Sequence, residues 1–236
     1  YRASKLLADH FNLPEENYGQ PGLGNESIFR TIYNFFMDTD YKNPFLIIGL
    51  SGITRKEVYS VRTKRLHDVH LFQNWDKNLE ELDRVKTKFI SSKFDSNQFK
   101  DYLQTWEKYF FDLDSEIEKL EWQMLFLDGL LKSKNINYVV FNSLQDNIDK
   151  IKDKIQFLSL KSKDIVELVD IDTIEDCWYH RLRVEHFKNE CENFNDKSYR
   201  SHIEPFGRYF CHGHPSPGAN RDLYELILNY INENYS

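Results

Sequence analysis

The residues best suited to chemistry lie in one stretch near the end of the chain, Phe210-Cys211-His212-Gly213-His214-Pro215-Ser216-Pro217-Gly218-Ala219-Asn220-Arg221-Asp222-Leu223. Two histidines sit there in a Gly/Pro-rich turn just before a helical pattern. Imidazole titrates near neutral pH, so a histidine in such a turn suits general-base chemistry. Pro215 and Pro217 each fix their own φ and restrict the residue before them, which stiffens the turn. The same residues also fit a plain helix-entry turn carrying exposed imidazoles. Cys211, His212 and His214 could alternatively give soft ligands to a metal, with a fourth ligand from elsewhere. No metal is assigned on that basis.

A reactive turn needs a scaffold, and the chain is large enough to supply one. Its 236 residues are 40% hydrophobic, which suits one sizeable core carrying an insertion better than two full domains. Residues 44–50 form a short apolar run bounded by Pro and Gly, the pattern of a buried parallel strand. Residues 136–143, with Tyr138-Val139-Val140-Phe141, read as a second. Residues 2–11 predict an amphipathic helix with Leu6, Leu7 and Phe11 on one side. After the glycine-rich turn at residues 17–25, Asn25 or Ser27 is expected to cap a helix through Ile28, Ile32 and Phe35 or Phe36. Residues 56–134 read as a mainly helical insertion. Its stripes run through Leu79, Leu82, Val85 and Phe89, through the aromatics between Phe99 and Phe110, and through Leu113, Ile117, Leu120, Met124, Leu127 and Leu131. Helical spacing resumes at Ile148, Ile151, Ile155 and Leu158. The last helix should bury Leu223, Leu226 or Ile227, and Tyr230.

Four short blocks follow one another along this scaffold. They are Asn17, Gly19 and Gly22 in the first turn, Ser51-Gly52 after the first strand, Asn142-Ser143 after the second, and His214-Pro215-Ser216. In that order they resemble the SGNH hydrolases, also called GDSL esterases and lipases. The resemblance implies a three-layer, flavodoxin-like α/β fold, a single domain over 1–236 with its helical insertion at about 56–134. It implies that Gly22 donates a backbone N–H to an oxyanion, for which the absence of a side chain is required. It implies that His214, followed by Pro215, is the general base. Two positions depart from the family. Its oxyanion-hole Asn has no counterpart at residues 49–55, where Ser51 or Thr54 offers a hydroxyl and Arg55 a charge. Its Asp three residues before the His is Cys211 here, and a neutral thiol cannot hold an imidazolium as a carboxylate does. His212 competes for the catalytic role but lacks the following Pro. The family's Gly-Asp-Ser is absent, which puts the expected nucleophile on a strand upstream of Tyr1.

These expectations describe a serine hydrolase acting on an ester, with a carbohydrate O-acyl group as the expected substrate class. Its chemistry needs no metal or organic cofactor. Asn25, Arg55, Cys211 and His212 would support the site. The alternative is a non-catalytic binding or structural protein on a degenerate scaffold of the same kind, such as a phage virion or cell-surface component. In either case the aromatic-rich insertion is a candidate surface for a protein partner or for sugar rings. A net charge of −7 and a pI near 5.6 argue against nucleic acid as a partner. No run of 18 apolar residues is present, so no bilayer-spanning helix is expected. A soluble virion-associated or extracellular protein fits both readings. Three cysteines do not make a disulfide framework. Cys177, His180, His186 and Cys191 match no tight zinc spacing. His67 and His70 would share a face only on a helix.

Overall fold

The computed structural model describes residues 2–19, 23–38, 43–60, 64–70, 96–143, 148, 150–160, 177–178, 181–182, 210–211 and 214–235. At 38, 58, 60, 67–70, 96–100, 210, 211, 214 and 215 the description covers the backbone alone. The fold is mixed α/β. It divides into two compact units, one comprising Tyr1–Tyr18, Lys42–Leu50 and Leu125–Ser236, the other Gly19–Tyr41 and Ser51–Met124.

The first unit is built on two parallel strands, β1 (Phe45–Leu50) and β4 (Asn137–Asn142), paired in register from Phe45 opposite Asn137 to Leu50 opposite Asn142. Both expected strands are therefore present and paired as parallel neighbours. Gly49 lies opposite Phe141, where a Cβ would come within 2.4 Å of the Ser143 hydroxyl. Only a residue without a side chain fits there while Ser143 keeps its place. Helix α1 (Ala3–His10) and helix α5 (Pro217–Tyr235) bury Ala3, Leu7, Ala219, Leu223 and Ile227 in one cluster with Val139 and Phe141. Phe11 stays exposed, with its ring edge-on to His10. The burying face of α1 is thus set by Ala3 and Leu7. Side chains alternate along a strand, so Tyr138 and Val140 occupy the opposite face. There the Tyr138 hydroxyl donates to Asp128, 2.7 Å away in α4 (Leu113–Ser133).

Local chemistry explains where these helices begin and end. The Ser216 hydroxyl accepts the Ala219 N–H at 3.2 Å and Pro217 takes the first helical position, a strong start for α5. Asp112 accepts from the Ser115 N–H at 2.9 Å and opens α4 in the same way. Asn12 and Asn135 adopt positive φ (53° and 54°) just after α1 and α4. Asparagine tolerates this left-handed turn, which returns the next N–H to a carbonyl of the last helical turn. Leu13 bonds to Ala8 and Ile136 to Leu131 in this manner.

One helical expectation fails in this unit. Ile148, Ile151, Ile155 and Leu158 are buried as their spacing suggested. Residues 150–156, however, form turns, and Phe157 makes a parallel bridge with Val140. The edge of β4 away from β1 decides this. The Val140 N–H reaches Gln156 O at 3.0 Å and its carbonyl accepts the Leu158 N–H at 2.9 Å. A helix over 150–158 would leave those strand groups unpaired.

The second unit contains α2 (Asn25–Asp38), the antiparallel hairpin of β2 (Arg55–Ser60) and β3 (Arg65–His70), helix α3 (Ser96–Tyr109), and the first half of α4. The segment read as a mainly helical insertion therefore starts as a hairpin. His67 and His70 lie on β3, where positions three apart alternate faces, so the shared face that a helix would give them does not form. Leu103 of α3 and Leu120 and Met124 of α4 are buried, whereas Tyr109 and Phe110 are exposed. The Leu79–Phe89 stripe lies outside the described residues.

Candidate functional site

Ser51 is the first residue after β1, at the carboxyl end of a parallel strand, where α/β folds place ligands. It is buried, and so is Asn25 at the start of α2. The Asn25 carboxamide makes a two-bond clip around it. Oδ1 accepts the Ser51 N–H at 2.7 Å and Nδ2 donates to the Ser51 carbonyl at 3.1 Å. The side chain expected to cap α2 is thus committed to a residue 26 positions away. Ser27, the other expected cap, donates its hydroxyl to Glu57 at 2.7 Å. The Ser51 hydroxyl accepts from the Arg55 guanidinium at 3.3 Å. A fixed positive charge beside a hydroxyl suits the stabilisation of an anion. The Ser51 backbone N–H is already engaged.

Behind this clip, α2, β2 and α4 are tied by alternating charges. Lys56, nearly buried, pairs with Glu116 and lies 3.9 Å from Glu26. Lys119 lies 2.8 Å from Glu26 and 3.8 Å from Glu116. Burial lowers the Lys119 pKa, but the Glu26 hydrogen bond and both carboxylates outweigh it and hold the ammonium above its ordinary value. The second Glu26 oxygen accepts the Glu57 N–H at 2.8 Å. The cavity lined by Asn25, Glu26, Arg55, Lys56, Glu116 and Lys119 measures about 10 Å³. That is room for one water molecule. These charges position backbone; they do not form a substrate pocket.

Glu57 gives a test of this wiring. Burial pushes its carboxyl up, but hydrogen bonds from Arg30 and Ser27 and the Arg30 charge prevail and hold it below the usual carboxylate range. A carboxyl held low stabilises the fold above its unfolded value, near 4.3. That contribution is lost as pH falls through the lowered folded value. Glu57→Gln should therefore cost about 1 kcal/mol at pH 7 and progressively less below pH 4. Urea midpoints measured from pH 7 to pH 3 check this. A constant difference over that range would contradict it.

The histidine turn belongs to the first unit. Phe210–Cys211 (β5) and His214–Pro215 (β6) form a minimal antiparallel hairpin in which Cys211 is the register partner of His214 and Phe210 that of Pro215. Ser216 and α5 follow without a break. Asn25, Ser51 and Arg55 are thus gathered in one unit, while Cys211 and His214 are paired in the other. Gly22 and His212 lie outside the described residues. Cys177 is buried and not in a disulfide. Among the described residues, no group of three or more His, Cys, Asp or Glu could hold a metal ion. No described helix is long and apolar enough to cross a membrane.

No protein-family model, no curated protein and no solved structure matches this chain.

Glu26, Lys56, Glu57, Glu116 and Lys119 escaped the sequence reading. Their partners are separated by up to 93 positions, and only the short Glu116–Lys119 spacing carries any local signature.

Proposed function

We propose that this chain is an SGNH-type serine hydrolase that cleaves an ester, with a carbohydrate O-acyl group as substrate. The observation that carries the reading is the hairpin delivering His214-Pro215 directly into the Ser216 cap of α5, with position 211 opposite position 214. The Asp-x-x-His-Pro block of that family has its Asp three residues before the His, and position 211 of this chain is the register partner of position 214. Three further features support the reading. The strands β1 and β4 are adjacent and parallel, and their carboxyl ends lead into Ser51 and Asn142-Ser143. Helical residues lie on both faces of β4, which supports a three-layer, flavodoxin-like sheet. The edge of β1 away from β4 has no strand partner among the described residues, and a strand bearing the upstream Ser would pair there.

In this reading the Ser hydroxyl adds to the acyl carbon as His214 takes its proton. The Gly22 N–H and the Ser51 hydroxyl, with Arg55 beside it, stabilise the oxyanion. The imidazolium returns the proton to the departing alkoxide, and water then releases the acid by the same path. A chain that carries the proposed nucleophilic Ser on a strand ahead of Tyr1 should hydrolyse a short-chain nitrophenyl ester. His214→Ala should lower the rate by about 10²–10⁴-fold. An unchanged rate would remove His214 from the mechanism, and an upstream sequence without a suitable Ser would end the reading.

One observation favours the second reading, a non-catalytic binding or structural protein of a virion or cell surface on the same scaffold. The Ser51 backbone N–H is held by Asn25 and is not open to a substrate oxygen. A protein that leaves the ester untouched while retaining a folded histidine hairpin would count against the hydrolase and in favour of that reading.

A further inference from the structure

Ser143 is the first residue past β4. Its N–H donates to the Leu50 carbonyl at 2.9 Å, so the parallel pairing with β1 runs one residue beyond the strand. Side chains alternate along a strand, which puts Ser143 on the face of Val139 and Phe141. Its hydroxyl occupies the space that a Cβ at Gly49 would need, beside the Phe141 ring. The residue is half-buried, and its hydroxyl makes no hydrogen bond among the described residues.

Helix α5 lies along the same face, with Ala219, Leu223 and Ile227 in the cluster of Val139 and Phe141. It runs against the strands. Its last residue, Tyr235, meets their beginning: the hydroxyl donates to the Tyr138 carbonyl at 2.6 Å, and the ring packs edge-on to Phe45 with centroids 5.6 Å apart. The 19 residues of α5 make a rod about 28 Å long. The 6 residues of β4 span about 20 Å. The first turn of α5 therefore reaches past the carboxyl end of β4, and His214-Pro215-Ser216 leads straight into that turn. The histidine turn and the uncommitted Ser143 hydroxyl thus share one rim of one unit.

We propose that Ser143 is a further catalytic residue of the proposed hydrolase, a role that rests on that reading. Its O–H donates a hydrogen bond to the acyl oxygen as the tetrahedral centre forms. A hydroxyl with no competing partner turns readily toward the developing charge, and a half-buried position strengthens the bond. No proton is transferred in this contact; the donor stabilises the oxyanion. Gly49 is the matching positioning residue, because a side chain there would displace the hydroxyl.

The test is steady-state hydrolysis of the nitrophenyl ester by the chain that carries the nucleophilic Ser, with urea unfolding alongside. Ser143→Ala should lower kcat about 10²–10³-fold, the loss typical of one oxyanion donor. KM should not change, because the bond is made only in the transition state. The urea midpoint should not change either, since the hydroxyl bonds nothing in the described fold. Gly49→Ala should lower kcat in the parent but add little to Ser143→Ala, because both changes remove the same bond. An unchanged kcat in Ser143→Ala, or a raised KM with kcat kept, would overturn the role and leave the hydrolase reading standing. An inactive parent would end the hydrolase reading, and this role with it.

Discussion

Asn25→Ala should destabilise the unit that contains Ser51 by about 2–4 kcal/mol, because it leaves a buried N–H and a buried carbonyl without their partner. The carboxamide bonds both backbone groups of Ser51, at 2.7 and 3.1 Å, and both residues are buried. The effect should appear as a lower urea midpoint with an unchanged slope. Asn25→Asp sharpens the prediction. A carboxylate still accepts from the Ser51 N–H but faces the Ser51 carbonyl with a second acceptor and a buried charge. Its folded pKa is then raised above the unfolded value near 3.9. The protonated form restores the donor, so this variant should approach wild type below that unfolded value. It should lose stability as pH rises through the raised folded value. Equal stability of Asn25→Ala and wild type would show that the clip contributes nothing.

Tyr138→Phe should cost about 2–4 kcal/mol for a similar reason. The Tyr138 side chain is fully buried. Its hydroxyl donates to Asp128 at 2.7 Å and accepts the Gln156 N–H at 3.1 Å. Removing it leaves a nearly buried carboxylate with, among the described residues, only Lys132, at 2.8 Å. Alkaline pH gives a second readout. Burial, helped by the Asp128 carboxylate, pushes the Tyr138 phenol well above its ordinary value. Burial and Tyr230 push Tyr235 up to about 12. A phenol raised on folding contributes fully below its unfolded value, near 10. The contribution disappears as pH climbs through the folded value. Wild-type stability should therefore fall from about pH 10 upward, and Tyr138→Phe should fall less steeply. Denaturant midpoints at pH 8, 10 and 11 decide it, and parallel curves for the two proteins would refute the assignment.

Much of the architecture was legible along the chain because the signals are local. The apolar run at Phe45–Leu50 and the Tyr138–Phe141 run read as buried strands from their length and flanking residues. Leu223 and Ile227 fall on the buried face of α5, and Leu120, Met124, Leu127 and Leu131 on that of α4, as their spacing demanded, whereas Leu113, the first of the α4 stripe, is exposed and Ile117 is half-buried. The histidine turn was likewise readable as the entry to the last helix.

Tertiary structure alone decided the rest. Apolar residues three and four apart bury equally well in a helix or in successive turns, so Ile148, Ile151 and Ile155 could not reveal that the segment turns back to pair with Val140. An asparagine at a helix start looks like a cap, and only the arrival of Ser51 diverts Asn25 to the backbone of a distant turn. The charges joining Glu26, Lys56, Glu116 and Lys119, and the hydroxyl of Tyr235 at a strand edge, come from positions tens of residues apart. Sequence fixes each side chain's hydrogen-bonding capacity and its local periodicity. Its partner is set by which elements the fold brings within 3 Å, and no local pattern encodes that.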